Sequence, residues 1–97
     1  MNISDIDVLM TVIKVGTYSA AAEVLNLNDH SAVGKQIRRL ERSLHGVTLL
    51  ARDDSGKAVL TEIGKSLLPQ MIVAKQAYQE MFNSLSSMPE PGVGIRY

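Results

Sequence analysis

The sequence predicts a mainly α-helical domain that carries a small two-stranded hairpin and ends in a long helix, and three observations predict it. Apolar residues recur at spacings of three and four along four stretches of the chain. Glycines and Asn/Asp-rich turns separate the first three of these stretches. Only one section, between Gly46 and Thr61, reads as two brief strands around a turn. The 97 residues, 45% of them apolar, suffice for one domain with a modest core.

The first helix starts near Ser4 and Asp7, which have the form of a capping box with aspartate in the usual glutamate place. Ile6, Leu9, Val12 and Ile13 follow at helical spacing to about Val15, and Gly16 ends the run. Thr17 or Ser19 can cap a short second helix over roughly 19–25, where Ala21, Ala22 and Leu25 permit close approach. The segment 26–29 reads as a turn, with Asp29 capping the third helix. In that helix Val33, Ile37, Leu40 and Leu44 form one apolar stripe, while Ser31, Lys35, Arg38 and Arg42 cluster within about 60° on the opposite side. Arg39 and Glu41 fall on the flanks, Glu41 placed to pair with a neighbouring base.

Beyond Gly46, the runs 47–51 and 58–60 flank the turn-rich segment 52–57, a hairpin or wing. Thr61 caps a last helix over about 62–87, with a heptad seam of Leu67, Met71, Ala74, Tyr78, Met81 and Leu85. Such a helix is roughly 38 Å long, more than the small domain can cover, so a second copy of the chain is expected to cover the seam. Pro69 is expected to bend it. Met88 to Gly92 cannot continue the helix, and 93–97 reads as a tail or as the first strand of something further. The expected division is a domain over 1–61, a linker or dimerisation helix over 62–87, and a tail over 88–97.

The chain has no cysteine, which excludes a disulfide framework and a thiolate zinc site. His30 and His45 are the only histidines and have no carboxylate pattern beside them, so no metal is expected. No nucleophile elbow, catalytic triad pattern or phosphate loop is present, and neither an enzyme nor a cofactor site is predicted. No apolar run is long enough to span a bilayer, and Asp5 and Asp7 interrupt any export signal, so a cytoplasmic protein is expected. Net charge is zero, yet residues 31–57 hold six basic against three acidic side chains. One basic element on a neutral protein is compatible with DNA, with weak non-specific attraction.

The order of helices, turn, recognition-like helix and hairpin suits DNA, because a helix fits the major groove while a hairpin can touch the adjacent backbone or minor groove. Lys35, Arg38 and Arg42 are candidate contacts, or else a merely solvated face. His30 and Ser31 lie in the deepest-reaching first turn, although Ser31 can serve only the free backbone donors there. Ser19 can meet a phosphate or only cap its helix. Arg52 and Lys57 can grip backbone, or be neutralised by Asp53 and Asp54.

The chain resembles the LysR family of transcriptional regulators through Gly16-Thr17-Tyr18-Ser19 with Ala21-Ala22 and Leu25, Ser31-Ala32-Val33 with Gln36-Ile37-Arg38-Arg39-Leu40-Glu41, and Leu60-Thr61-Glu62 with Gly64. The resemblance covers roughly residues 3–87. It implies a winged helix-turn-helix in which the third helix is the recognition helix, the second sets its angle, and the last is the interface of a homodimer. It also implies that position 34 faces DNA, although Gly34 stands where the family usually has a serine. Leu50 replaces the usual phenylalanine, the wing is unusually acidic, and single extra residues fall in three connections. Full-length relatives carry a further effector-binding domain, so the chain reads as a fragment or as a minimal regulator with no small-molecule effector site of its own. Two alternatives stand beside this: a ModE-type DNA-binding domain, and an interaction module without DNA that sequesters another regulator through its long helix.

Overall fold

Four helices and one hairpin follow one another in the order read from the sequence. In the computed structural model, which describes residues 3–87, α1 spans Ile3–Val15, α2 Tyr18–Val24, α3 His30–Ser43, β1 Leu50–Arg52, β2 Ala58–Leu60 and α4 Glu62–Ser87. The expectation for 88–97 lies outside the described residues.

The connections show why the chain turns where it does. Gly16 adopts φ +88°, a conformation that costs glycine little, and its N–H donates to the Val12 carbonyl at 2.7 Å. Its own carbonyl accepts the Ala58 N–H at 2.8 Å, tying the end of α1 to the hairpin. Of the two candidate caps for α2, Thr17 serves, its Oγ1 accepting the Ala20 N–H at 3.1 Å. Asp29 caps α3 as expected. Ser4 already lies inside α1, and the Asp7 carboxylate receives the Lys75 ammonium of α4, a tertiary role that the capping-box reading does not include.

The core forms where the apolar stripes meet: Ile6, Leu9 and Val12 of α1, Ala21 and Ala22 of α2, Val33, Ile37 and Leu40 of α3, then Leu49, Ala58 and Met71. Each large aliphatic side chain so buried contributes about 1.5–3 kcal/mol. One charged residue joins them. Asp5 has no exposed surface, and both of its oxygens accept from Arg39, from Nε at 3.0 Å and from Nη2 at 2.6 Å. The pair clamps α1 to α3, and the Asp5 carboxylate raises the Arg39 pKa further, first through these hydrogen bonds. Among the described residues Glu41 forms no ion pair; its carboxylate accepts the Leu49 N–H at 2.8 Å and fixes the approach to the hairpin.

The hairpin is antiparallel, with Leu50 opposite Leu60, Ala51 opposite Val59 and Arg52 opposite Ala58. It begins later than the run 47–51 predicts, because the Thr48 and Leu49 carbonyls are taken by Thr61. The Thr61 hydroxyl donates to Thr48 at 2.6 Å and its N–H to Leu49 at 2.9 Å. The same hydroxyl accepts the Gly64 N–H at 3.1 Å, starting α4. Gly64 is buried under this crossing, and a Cβ there would lie 2.6 Å from the Leu49 carbonyl oxygen.

The heptad seam is divided rather than continuous. Met71 is only 4% exposed and Leu67 and Leu68 pack on the same core, so Leu67 and Met71 belong to the fold of one chain and not to a free seam. The spacing is heptad throughout, but the first turns of α4 lie against α1 and β2 and their apolar side chains are claimed there. The core therefore runs across residue 61, the expected domain boundary. Farther along, Ala74, Tyr78, Met81 and Leu85 are exposed, as is Phe82, whose ring stacks tilted on Tyr78 with centroids 4.9 Å apart. The helix is unbroken through Pro69 and makes the described molecule long, 56 × 29 × 19 Å.

Candidate nucleic-acid interface

One face of α3 is buried and the other is open. Ser31, Lys35, Arg38 and Arg42 are all exposed, opposite Val33, Ile37 and Leu40, as the 3.6-residue period requires. Among the described residues no ion pair holds Lys35, Arg38 or Arg42. Arg39, next in sequence, is committed to Asp5 and is thereby separated from the others.

At the start of α3, the Asp29 carboxylate accepts the Ser31 N–H at 2.9 Å and the Ser31 hydroxyl at 2.6 Å. These bonds, the hydroxyl's first, hold the Asp29 pKa below the usual carboxylate value. Asp29 rather than Ser31 thus satisfies the free backbone donor, and the Ser31 oxygen remains able to accept. His30 is exposed beside it, Nδ1 3.8 Å from Asp29.

Tyr18, at the start of α2, joins this face to the wing. A Cβ built on Gly34 would lie 3.4 Å from its ring, and on the other side the ring borders a cleft of about 100 Å³ with Leu50, Ala51, Arg52 and Ala58. Gly34 is buried, so it presents no exposed group; its place in the site is against the Tyr18 ring of α2. Ser19 is exposed one residue after Tyr18. The aliphatic chain of Lys57 runs past Gly16, 3.3 Å from where a Cβ would stand. Both wing cations therefore lie beside the start of α2.

Of the two readings open for the wing cations, neutralisation by direct ion pairs with Asp53 or Asp54 is not seen among the described residues. Asp53 Oδ1 accepts the Ser55 hydroxyl at 2.6 Å, the Ser55 N–H at 2.9 Å and the Lys57 N–H at 3.0 Å. Led by the Ser55 hydroxyl, these bonds lower the Asp53 pKa. Arg52 instead donates to the Gly56 carbonyl at 2.8 Å. Gly56 supplies the positive φ of the turn, +84°. Sequence reasoning missed the joint role of Tyr18, for which the only signal was its place in the Gly16–Ser19 motif, and it missed Phe82 on α4.

The described residues contain no cluster of three metal-ligating side chains and no helix long and apolar enough to cross a membrane. Residues 3–65 match the family described as bacterial regulatory helix-turn-helix protein, lysR family. That match falls on the LysR resemblance rather than the ModE one. No curated protein sequence matches the chain. Among solved structures, the CbnR DNA-binding domain in complex with DNA is 25% identical with a TM-score of 0.72, covering 90% of this chain and 98% of that one. Full-length CbnR with its target DNA is 27% identical, TM-score 0.69, covering 87% of this chain and 28% of that one. Full-length LysG from Corynebacterium glutamicum with bound effector Arg is 25% identical, TM-score 0.64, covering 92% of this chain and 31% of that one. The chain spans about a quarter of the length of the full-length regulators it matches.

Proposed function

The chain belongs to the LysR family of bacterial regulatory helix-turn-helix proteins, and on that premise we propose that it is a sequence-specific DNA-binding transcription regulator acting as a homodimer. The observation that carries this reading is the open basic face of α3, with Lys35, Arg38 and Arg42 unpaired among the described residues, on the side away from the core. The reading sets α3 in the major groove, its first turn with His30 and Ser31 deepest. Ser19 reaches a phosphate, and Arg52 and Lys57 reach the backbone or minor groove beside it. The DNA complex of the CbnR domain supports this orientation of work. Two copies joined through the exposed Ala74, Tyr78, Met81 and Leu85 of α4 place two recognition helices on a partly palindromic site. The protein works in the cytoplasm, without a cofactor, and no effector site is assigned to these residues.

The test is a gel shift of the full chain against DNA upstream of its own gene, because regulators of this kind often act on their own promoters. A shift that competes poorly with random DNA is the expected result. If the wild type binds no DNA even at low salt while remaining folded, the regulator reading fails and a module that captures another regulator through α4 replaces it.

A further inference from the structure

The geometry points to Arg38 as the group that reads a base at the centre of α3, seated by Gly34 and Tyr18, an assignment that rests on the DNA-binding reading above. A helical side chain runs back over the turn N-terminal to its own Cα. Arg38 therefore extends toward the N-terminal half of α3, the half that a recognition helix pushes deepest into the groove. There it meets the place where Gly34 lacks a side chain. A Cβ built on Gly34 would lie 3.3 Å from Arg38 Nη1 and 3.4 Å from the Tyr18 Cε2 atom. The result is a gap over bare helix backbone, bordered on one side by the Tyr18 ring and on another by the Arg38 guanidinium.

Two further facts favour reading over mere attraction. Gly34 has ordinary helical backbone, and glycine inside a helix lowers stability, so what it supplies here is space. Arg38 is also exposed and in no ion pair among the described residues, whereas Arg39 spends its fork on Asp5. A guanidinium carries its N–H donors in a rigid plane that matches the O6 and N7 acceptors of guanine. Set at the edge of this gap, it loses less freedom on binding than one extended into solvent. Arg38 is thus assigned the contact to the base, and Gly34 and Tyr18 are positioning residues.

The experiment is selection of sites from a random duplex library by the full chain, as wild type and as Arg38→Ala, Arg38→Lys, Gly34→Ala, Tyr18→Ala and Tyr18→Phe, with thermal melts of each. Wild type is expected to select guanine at one position per half-site. Both Arg38 substitutions should erase that preference, about ten- to a hundredfold in relative affinity. Gly34→Ala puts a methyl 3.3 Å from Arg38 Nη1, so that the guanidinium must give way by a few tenths of an ångström, and Tyr18→Ala removes the ring beside it; each should weaken the preference at that position and no other. Tyr18→Phe keeps the ring and should keep the preference. Gly34→Ala is the better helix former, and the atom in its way is the flexible end of an arginine, so this variant stays folded. If Arg38→Ala weakens all sequences alike, or Gly34→Ala retains the full preference, this arrangement is overturned while DNA binding stands. A library from which the folded wild type selects nothing overturns the DNA-binding reading, and this assignment with it.

Discussion

A carboxylate without exposed surface is costly unless its charge is answered, and Asp5 is answered by both arms of the Arg39 fork. The partners are not equivalent, because the Arg39 side chain keeps 53% of its surface in water. Asp5→Asn leaves a cation that water can solvate, whereas Arg39→Ala strands an anion in the core. Thermal melts should therefore show Arg39→Ala as the more damaging of the two; equal losses would mean that Arg39 does not serve the buried charge. The sequence could not disclose this pair. Its members stand 34 residues apart, and although spacing puts Arg39 on a flank of α3, away from Arg38 and Arg42, no local pattern names Asp5 as its partner. Gly64 is a second residue whose reason is tertiary. Alanine there would favour the helix but press on the Leu49 carbonyl, and the crossing should win, at a cost of about 1–3 kcal/mol in urea unfolding.

Among the elements, α3 was the most legible, because a helix that is apolar on one side and basic on the other announces both faces through spacing alone. Its two faces should fail differently. Leu40→Ala is expected to cost about 2–5 kcal/mol of stability. Lys35→Ala or Arg42→Ala should leave the melt unchanged and, as phosphate contacts, lower the salt slope of DNA binding by about one each. The wing was legible as a hairpin but not in its chemistry. Asp53 reads as one more acid near two bases, yet its oxygen is the acceptor that closes the turn. Its folded pKa is lowered, so the stabilisation is complete above the ordinary value of about 3.9 and is lost as pH falls through the lower folded value. Asp53→Ala should accordingly lose stability at neutral pH and show a smaller further loss on acidification to about pH 3 than the wild type does. An identical acid dependence in both proteins would remove Asp53 from this role.

At the scale of the whole molecule, the long helix has two kinds of apolar position, buried and exposed, within one period. The heptad pattern correctly marks apolar positions, but period alone cannot say which chain covers them. That depends on where α1 and β2 lie against α4. Met71 is buried within one chain, while Tyr78, Met81, Phe82 and Leu85 are between 44% and 53% exposed. Exposed aromatic and aliphatic side chains in one contiguous stretch are unfavourable in water unless something covers them, and a second copy presents the same stripe. Substitutions on one helix face should therefore separate folding from assembly. Tyr78→Glu with Met81→Glu is expected to give a folded monomer by light scattering, with the thermal transition still cooperative and DNA affinity reduced because two half-sites are no longer held together. Met71→Glu should instead unfold the chain, since it places an unpaired charge in the buried apolar core. A monomeric wild type at micromolar concentration would end the dimer proposal. A dimer that survives the Tyr78 and Met81 substitutions would move the interface elsewhere, toward the exposed face around Pro69, Gln70 and Val73.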